Sequence, residues 1–473
     1  MVDKSSIPSL FRTPYRIKRV TALLLAGSIF STPILASTTS ETAETAIFIK
    51  GSNTIGAVLA PLLIKSFLHQ APTTNIKETR DSHSGESLFR AKTSNGTLTF
   101  SLEAHGSSTG FAGLENATAT IAASSRAIKP SEKEKLQHLG DLSSKNGEHI
   151  IAIDGIAVLV HPANPINRLS TDQLTQIFSG KITNWQEVGG LNAPIHLYAR
   201  DENSGTWDTF KHLILGKLPL ASQTKRYESN DQLSDDVSQD SLGIGFTGIA
   251  SVRHAKALAI QEGKATPLLP TRENIATEDY PLARRLYFYT ATHGIPQPAT
   301  DFIAFCESAE GQKIVEAAGF VSQNIQSFPA LHSEQTPLSF RSMTEGYERL
   351  SVNFRFRKGR TTLDNKALAD IPRLKDFITS NEIASKDLML IGYADKSTHE
   401  LRAQMISELR ANTVKTTLKS DGIEIKAVTG YGEYMPVTTK AAHTEQSRNG
   451  RVEVWLKRKE NDPLLAMPAL AAQ

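Results

Sequence analysis

Three times along this 473-residue chain an apolar strand runs into a short turn of glycine and hydroxyl residues, and an amphipathic helix follows. The first instance is residues 46–50, then Gly51-Ser52-Asn53-Thr54-Ile55-Gly56, then a helical pattern with Val58, Leu59, Leu62, Leu63 and Phe67 on one face. The second joins residues 100–105 through Gly106-Ser107-Ser108-Thr109-Gly110 to Phe111 and beyond. The third joins residues 195–199 through Arg200-Asp201-Glu202-Asn203-Ser204-Gly205-Thr206 to a helix over 207–215. Repetition of this unit predicts an open α/β sheet with the turns at the carboxyl ends of its strands, where ligands bind. The first turn of a helix offers free N–H groups and the positive end of a dipole, so each turn attracts negative charge. Arg200 adds a fork of donors matched to an oxyanion, and Gly205 lets the backbone come close. Together the turns describe a dry pocket of N–H and O–H donors.

The length exceeds one ordinary core and predicts two or three domains. A single cysteine, Cys306, excludes a disulfide framework or a Cys-based metal site within one chain. The thirteen histidines show no ligand spacing, so neither a metal nor a cofactor is expected. The net charge of +3 misleads: residues 1–36 carry Lys4, Arg12, Arg16, Lys18 and Arg19 against Asp3, a balance of +4, which leaves the rest at −1. No nucleic-acid partner is therefore expected. That segment, basic as far as Arg19, then apolar over 20–30 and closing at Ala36, reads as a secretory signal cleaved after Ala36. Its apolar run is well short of the ~20 residues that span a bilayer, and no cysteine follows it to carry a lipid.

The stretches Gly51-Ser52-Asn53-Thr54, Gly106-Ser107-Ser108, Ser125-Arg126, Ile153-Asp154-Gly155-Ile156-Ala157-Val158, Asn164-Pro165 and Arg200 to Thr206 resemble the periplasmic phosphate-binding (PstS-like) family. So do Ile177-Phe178-Ser179-Gly180-Lys181-Ile182-Thr183-Asn184-Trp185 and Tyr280-Pro281-Leu282, and the matches run in order over residues 47–325. The resemblance implies a type II periplasmic-binding-protein fold, two α/β lobes joined by crossing strands and closing on an anion. It assigns inorganic phosphate, or a similar oxyanion, to Thr54, the N–H of Ile55, Ser107, Ser125, Arg200, Ser204, Gly205 and Thr206. Some relatives carry an Asp where Ser125 stands, a carboxylate able to accept the proton of hydrogen phosphate. With serine there, the expected acceptor is Glu202 or a backbone carbonyl, Arg126 is a candidate second cation, and only moderate rejection of sulfate is expected. Residues Gly106 to Gly110 also satisfy Gly-x-Ser-x-Gly, which would make Ser108 the nucleophile of a phosphate-ester hydrolase. No partner His or Asp segment accompanies it, so an enzyme is not expected.

From Ser327 to Thr344 the composition turns polar, with Pro329 and Pro337, and reads as a flexible linker (329–345) between a front half (47–328) and a second domain (346–459). The second domain predicts strands at 350–356, 388–393, 426–429 and 450–456, and helices at 363–378 and 399–419. A short apolar tail, 460–473, carries no signal. Gly392-Tyr393-Ala394-Asp395, Ile406-Ser407-Glu408-Leu409-Arg410-Ala411, Gly432-Glu433, Pro436-Val437 and Asn449-Gly450-Arg451-Val452-Glu453 resemble the OmpA-like peptidoglycan-binding domain. In that family an Asp and an Arg at the separation of Asp395 and Arg410 clamp the zwitterionic end of diaminopimelate, and the resemblance adds Asn449 and Arg451 to the peptidoglycan site. Ala394, Thr398 and Ala403 depart from the family pattern, which would weaken affinity for cell wall. The expected fold class is thus α/β, a two-lobed type II periplasmic-binding-protein fold followed by a small α/β OmpA-C-like sandwich. The expected protein is a phosphate scavenger or sensor of the periplasm, associated with peptidoglycan or the outer membrane, with an ABC transporter permease as a candidate recipient. The rival expectation is an envelope-anchoring or adhesion protein with a vestigial pocket.

Overall fold

The computed structural model describes residues 44–458 except 71–73, 82–85, 95, 203, 331, 333–335, 358–359, 397–398 and 440–447. The signal segment, the tail, Asn203 and Thr398 lie outside the described residues. One long twisted sheet organises the front half. Its strands run in the order Thr74–Arg80, Ser87–Thr93, Gly96–Ala104, Glu44–Gly51, Ile121–Ser124, Ala283–Tyr289, Glu148–Val160, Gly243–Gly248, His196–Arg200 and Lys225–Tyr227. The first five form lobe 1 and the last three lobe 2. Glu148–Val160 crosses between them, pairing antiparallel with Ala283–Tyr289 on one side and Gly243–Gly248 on the other.

Each lobe has its own core. In lobe 1, Ile47 and Ile49 meet Leu63 and Phe100, with Phe302 set edge-on to Phe100 at 5.1 Å. In lobe 2, Phe210 lies flat on Phe246 with ring centroids 3.8 Å apart, and Phe178 closes on both. Asp154 and Gly155 interrupt the apolar run of the crossing strand at the boundary between the lobes. Among the described residues no helix is long and apolar enough to cross a membrane.

The C-terminal domain is a sheet in the order Ser327–Pro329, Tyr347–Arg355, Arg451–Lys457, Leu388–Gly392 and Ala427–Gly430. Helices Asn365–Ser380 and Glu400–Ser420 pack on it through Ile371, Leu374, Ala411, Val414 and Leu418. Asp364 starts the first helix by accepting from the N–H of Ala367 at 2.8 Å. The strands and helices expected here form within a few residues of their predicted bounds.

The flexible linker does not form. Ser327–Pro329 adds an edge strand to the C-terminal sheet, and helix Leu338–Thr344 buries Phe340 against Met389, Tyr393 and Trp455. Nor do the halves hang apart. Asp279 of the front half is buried with its carboxylate 2.7 Å from Arg349, 3.1 Å from Arg355 and 3.8 Å from Arg451 of the C-terminal domain. Beside it Arg285 bridges Glu278 (Nη2 to Oε2, 2.7 Å) and Asp364 (2.9 Å). Asn353 donates to the carbonyl of Thr277 at 2.8 Å, and Asn365 to Glu148 and the carbonyl of Ser143 at 2.9 Å each. The C-terminal domain is therefore docked on the outer side of the strands that join the two lobes.

Candidate oxyanion site

All three hydroxyl turns open helices at the meeting of the lobes. Thr54 immediately precedes the helical turn Ile55–Leu59, Gly106 precedes helix Ser107–Glu115, and Ser204 caps helix Gly205–Phe210 by accepting from the N–H of Trp207 at 3.3 Å. The sheet is what brings them together. Strands Gly96–Ala104, Glu44–Gly51 and Ile121–Ser124 are parallel neighbours, so the residues that follow them, Ser107, Ser52, Thr54 and Ser125, emerge at one edge. The N–H of Ser125 donates to Ser107 Oγ at 3.1 Å. Gly205 arrives from lobe 2: a Cβ there would lie 2.6 Å from Thr54 Oγ1, 2.9 Å from Ser125 Oγ and 3.3 Å from Ser52 Oγ. Only glycine permits that approach.

Thr54, Ser107, Ser125, Arg200, Ser204, Gly205 and Thr206 thus lie at the meeting of the lobes, and all but Thr54, which is half-buried, are buried. Ile55 contributes the start of its helix while its side chain enters the lobe 1 core. Arg200 is braced by two backbone carbonyls, Tyr227 from Nε at 3.2 Å and Glu228 from Nη2 at 2.7 Å. Burial lowers its pKa; Asp201 opposes that, and the nearby Arg284 adds to it.

Arg284 was not among the expected site residues, nor were Asp154 and Ser52. Arg284 Nη1 donates to the carbonyl of Gly205 and to Thr209 Oγ1 at 2.6 Å each. Its Nη2 lies 3.4 Å from Thr54 Oγ1 and 3.3 Å from Thr206 Oγ1, one hydroxyl from each lobe. Asp154 neutralises it, accepting from Nε at 2.9 Å and from Nη2 at 2.6 Å. Ser52 Oγ is buried among these groups without a hydrogen-bond partner among the described residues. The signal available in sequence was an acid interrupting an apolar strand, which requires a buried partner cation.

Two expectations are corrected. Arg126 is not a second cation of the site: Glu132 takes it by two bonds of 2.8 and 2.7 Å, and it also donates to Ser108 at 3.1 Å. Glu202 is not a proton acceptor within it, because its side chain is 84% exposed and pairs with Arg226 at 3.3 Å. Ser108, the nucleophile of the hydrolase reading, is exposed and receives the Arg126 bond rather than a base.

In the C-terminal domain Asp395 and Arg410 do meet, at 3.0 Å, with Arg410 also donating to the carbonyl of Tyr393 at 3.1 Å. The Asp395 side chain remains 44% exposed. Gly450 packs directly on the guanidinium, where a Cβ would lie 2.3 Å from Nη1. Asn449 and Arg451 do not join this clamp. Asn449 accepts from the N–H groups of Val437 and Thr438 at 3.0 and 3.1 Å, holding its own loop. Arg451 is buried between Glu453 (2.8 Å), the Tyr393 ring and Asp279 of the front half, out of reach of an external ligand.

Residues 36–310 match the model of the PBP superfamily domain, and residues 355–450 match the OmpA family. Among curated proteins the chain is 26% identical over 312 residues to phosphate-binding protein PstS of Borreliella burgdorferi, covering 64% of this chain and 99% of that one. It is 30% identical to protein SphX of Synechococcus elongatus, over 48% of this chain and 69% of that one. Among solved structures, an ABC-type phosphate transport receptor from Vibrio cholerae aligns over 58% of this chain and 99% of its own, at 27% identity and a TM-score of 0.46. The chain belongs to the PBP superfamily, in a PstS-like form that carries a C-terminal OmpA domain.

Proposed function

We propose that the front half captures a tetrahedral oxyanion, inorganic phosphate first among them, and that the OmpA domain holds the chain to peptidoglycan. The observation that carries the first part is the convergence on Gly205 of three lobe 1 hydroxyls, with Arg200 and Arg284 buried beside them. Hydroxyl and N–H donors at three helix starts, ringed by two guanidinium groups, fit a small anion stripped of water. The names of the PstS relatives support phosphate as that anion. Capture rather than turnover is the reading, because Ser108 receives a bond from Arg126 and the buried carboxylate Asp154 is held by Arg284. The protein then serves as an exported scavenger or sensor, with an ABC transporter permease as one recipient of its ligand. Calorimetric titration of the full chain with phosphate tests this; absence of heat or thermal stabilisation at millimolar phosphate rules it out.

Gly205→Ala should weaken phosphate binding by about 1–3 kcal/mol, because the added methyl meets Thr54 Oγ1 and Ser125 Oγ as the lobes close. The loss is read by titration calorimetry on the folded variant against wild type.

For the second part, Asp395 offers a carboxylate to the ligand ammonium and Arg410 a fork to its carboxylate. Either Asp395→Ala or Arg410→Ala should release the protein from purified sacculi in a sedimentation assay. The double variant should be little worse than either single one, since the two act on one ligand. Undiminished sedimentation of Asp395→Ala would overturn the tether.

A further inference from the structure

We infer that the docked C-terminal domain straps the two lobes together, which makes Asn365 and Arg448 positioning residues for anion capture. This deepens the oxyanion reading above and rests on it. A two-lobed binder releases its ligand by opening about the strands that cross between its lobes, and contacts that exist only in the closed arrangement slow that step. The lobes here stand closed. Arg284 Nη2 lies 3.4 Å from Thr54 Oγ1 of lobe 1 and 3.3 Å from Thr206 Oγ1 of lobe 2, and Gly205 of lobe 2 packs on Thr54 and Ser125. In that arrangement the C-terminal domain grips both lobes at once.

On the lobe 1 side, Asn365 Nδ2 donates to the carbonyl of Ser143 and to Glu148 at 2.9 Å each. That segment is fixed to lobe 1: the carbonyls of Leu139 and Gly147 take the N–H groups of Thr292 and Thr290, just past the strand that pairs with Ile121–Ser124. On the lobe 2 side, Arg448 pairs with Glu262, and the N–H of Lys264 donates to Thr439 Oγ1 at 2.7 Å. Glu262 and Lys264 belong to the turn after strand Ala259–Gln261, which pairs with Arg168–Ser170 and so moves with lobe 2 helix Thr171–Phe178. The two grips are tied to each other inside the C-terminal domain. Arg355 donates to the carbonyl of Arg448, and Arg357, two residues on, donates to Asn365 Oδ1 at 2.9 Å. The Asp279 cluster sits between the grips, at the turn that leads into crossing strand Ala283–Tyr289, where rotation displaces it least. Opening shifts Ser143 relative to Glu262, and one packed domain cannot follow both. One grip has to break, so both grips together favour the closed state alone.

The test is the rate at which radiolabelled inorganic phosphate leaves the full chain when chased with unlabelled phosphate. Arg448→Ala combined with Thr439→Val cuts the lobe 2 grip and should speed release about tenfold, a coupling of ordinary size between two parts of one protein. Asn365→Ala loosens the lobe 1 grip and should act in the same direction. Adding Asn365→Ala to the lobe 2 pair should change little more, because a strap cut at one end no longer spans the lobes. Glu262→Arg with Arg448→Glu rebuilds the ion pair in reverse and should restore slow release, which a general loss of packing would not allow. Arg458→Ala is the control: its partner Glu348, at 3.2 Å, lies in the same domain, so release should keep the wild-type rate. Release at the wild-type rate after the lobe 2 grip is cut, or equally fast release from Arg458→Ala, overturns the strap and leaves oxyanion capture standing. Failure of the wild type to retain phosphate at all overturns both.

Discussion

Asp279→Ala is expected to destabilise the chain by about 3–5 kcal/mol, the cost of removing one partner from a buried ionic cluster. The carboxylate is 3% exposed and lies between Arg349, Arg355 and Arg451, with Asn353 donating to it at 3.2 Å. Without it, Arg349 and Arg451 would be left sharing Glu453, and Arg355 would be left with Glu278 at 3.5 Å. Burial would raise the pKa of Asp279, but the three guanidinium groups override it and hold the carboxylate well below its ordinary range. Glu278 follows the same pattern: burial pushes it up, and Arg285, Lys366 and Arg355 bring it down to about 2. A carboxylate whose folded pKa is depressed adds stability above its unfolded value, and that stability is lost as pH falls through the folded one. For Glu278 the window runs from the ordinary carboxylate value of 4.5 down to about 2. Urea denaturation of the wild type should therefore show docking weakening below pH 4.5, and Asp279→Ala should already be weak at neutral pH. If the variant unfolds at the same urea concentration as wild type, the halves are not docked through this cluster.

That interface explains what the sequence could and could not say. In strand Tyr347–Arg355, Leu350, Val352 and Phe354 alternate with Arg349, Ser351, Asn353 and Arg355. Alternation of this kind is the ordinary mark of a sheet with one face in the core and one in water. Here the polar face is buried too, against the front half, and no local pattern separates a charged face in solvent from one held by a second domain. The 329–345 segment misled for a related reason. Its prolines do punctuate, Pro337 immediately preceding a helix, but Phe340 gains its burial from residues far along the chain. The oxyanion turns were legible because their chemistry is local. Glycine, hydroxyls and a helix start lie within seven residues of each other, and the parallel sheet fixes where they end up. Arg284 was not legible, because its partner Asp154 lies 130 positions away and only the pairing of the two crossing strands makes them neighbours. Arg285, one residue on, turns to the opposite face of the same strand and reaches Asp364 of the OmpA domain. The candidate site and the domain interface are thus two faces of one strand.

Arg200→Ala should reduce phosphate affinity by about 2–5 kcal/mol, the cost of truncating a charge contact inside a desolvated site. The fold should survive. Arg200 sits at the end of its strand, 8% exposed, and it is held by two backbone carbonyls with Asp201 at 3.6 Å, so its removal opens little of the lobe 2 core. Because burial lowers its pKa, the free guanidinium is held at some cost in the unliganded protein, and an anion beside it would repay that desolvation. Loss of Arg200 would leave Arg284 as the remaining buried guanidinium of the site, already neutralised by Asp154 at 2.6 Å. The hydroxyl ring would then face a dianion with no uncompensated positive charge. Titration calorimetry at neutral pH and low salt should show affinity falling by two orders of magnitude or so, with a thermal midpoint unchanged in the absence of phosphate. If Arg200→Ala binds phosphate within a few-fold of wild type, the anion does not sit among these residues, and the three helix starts must be read as ordinary caps.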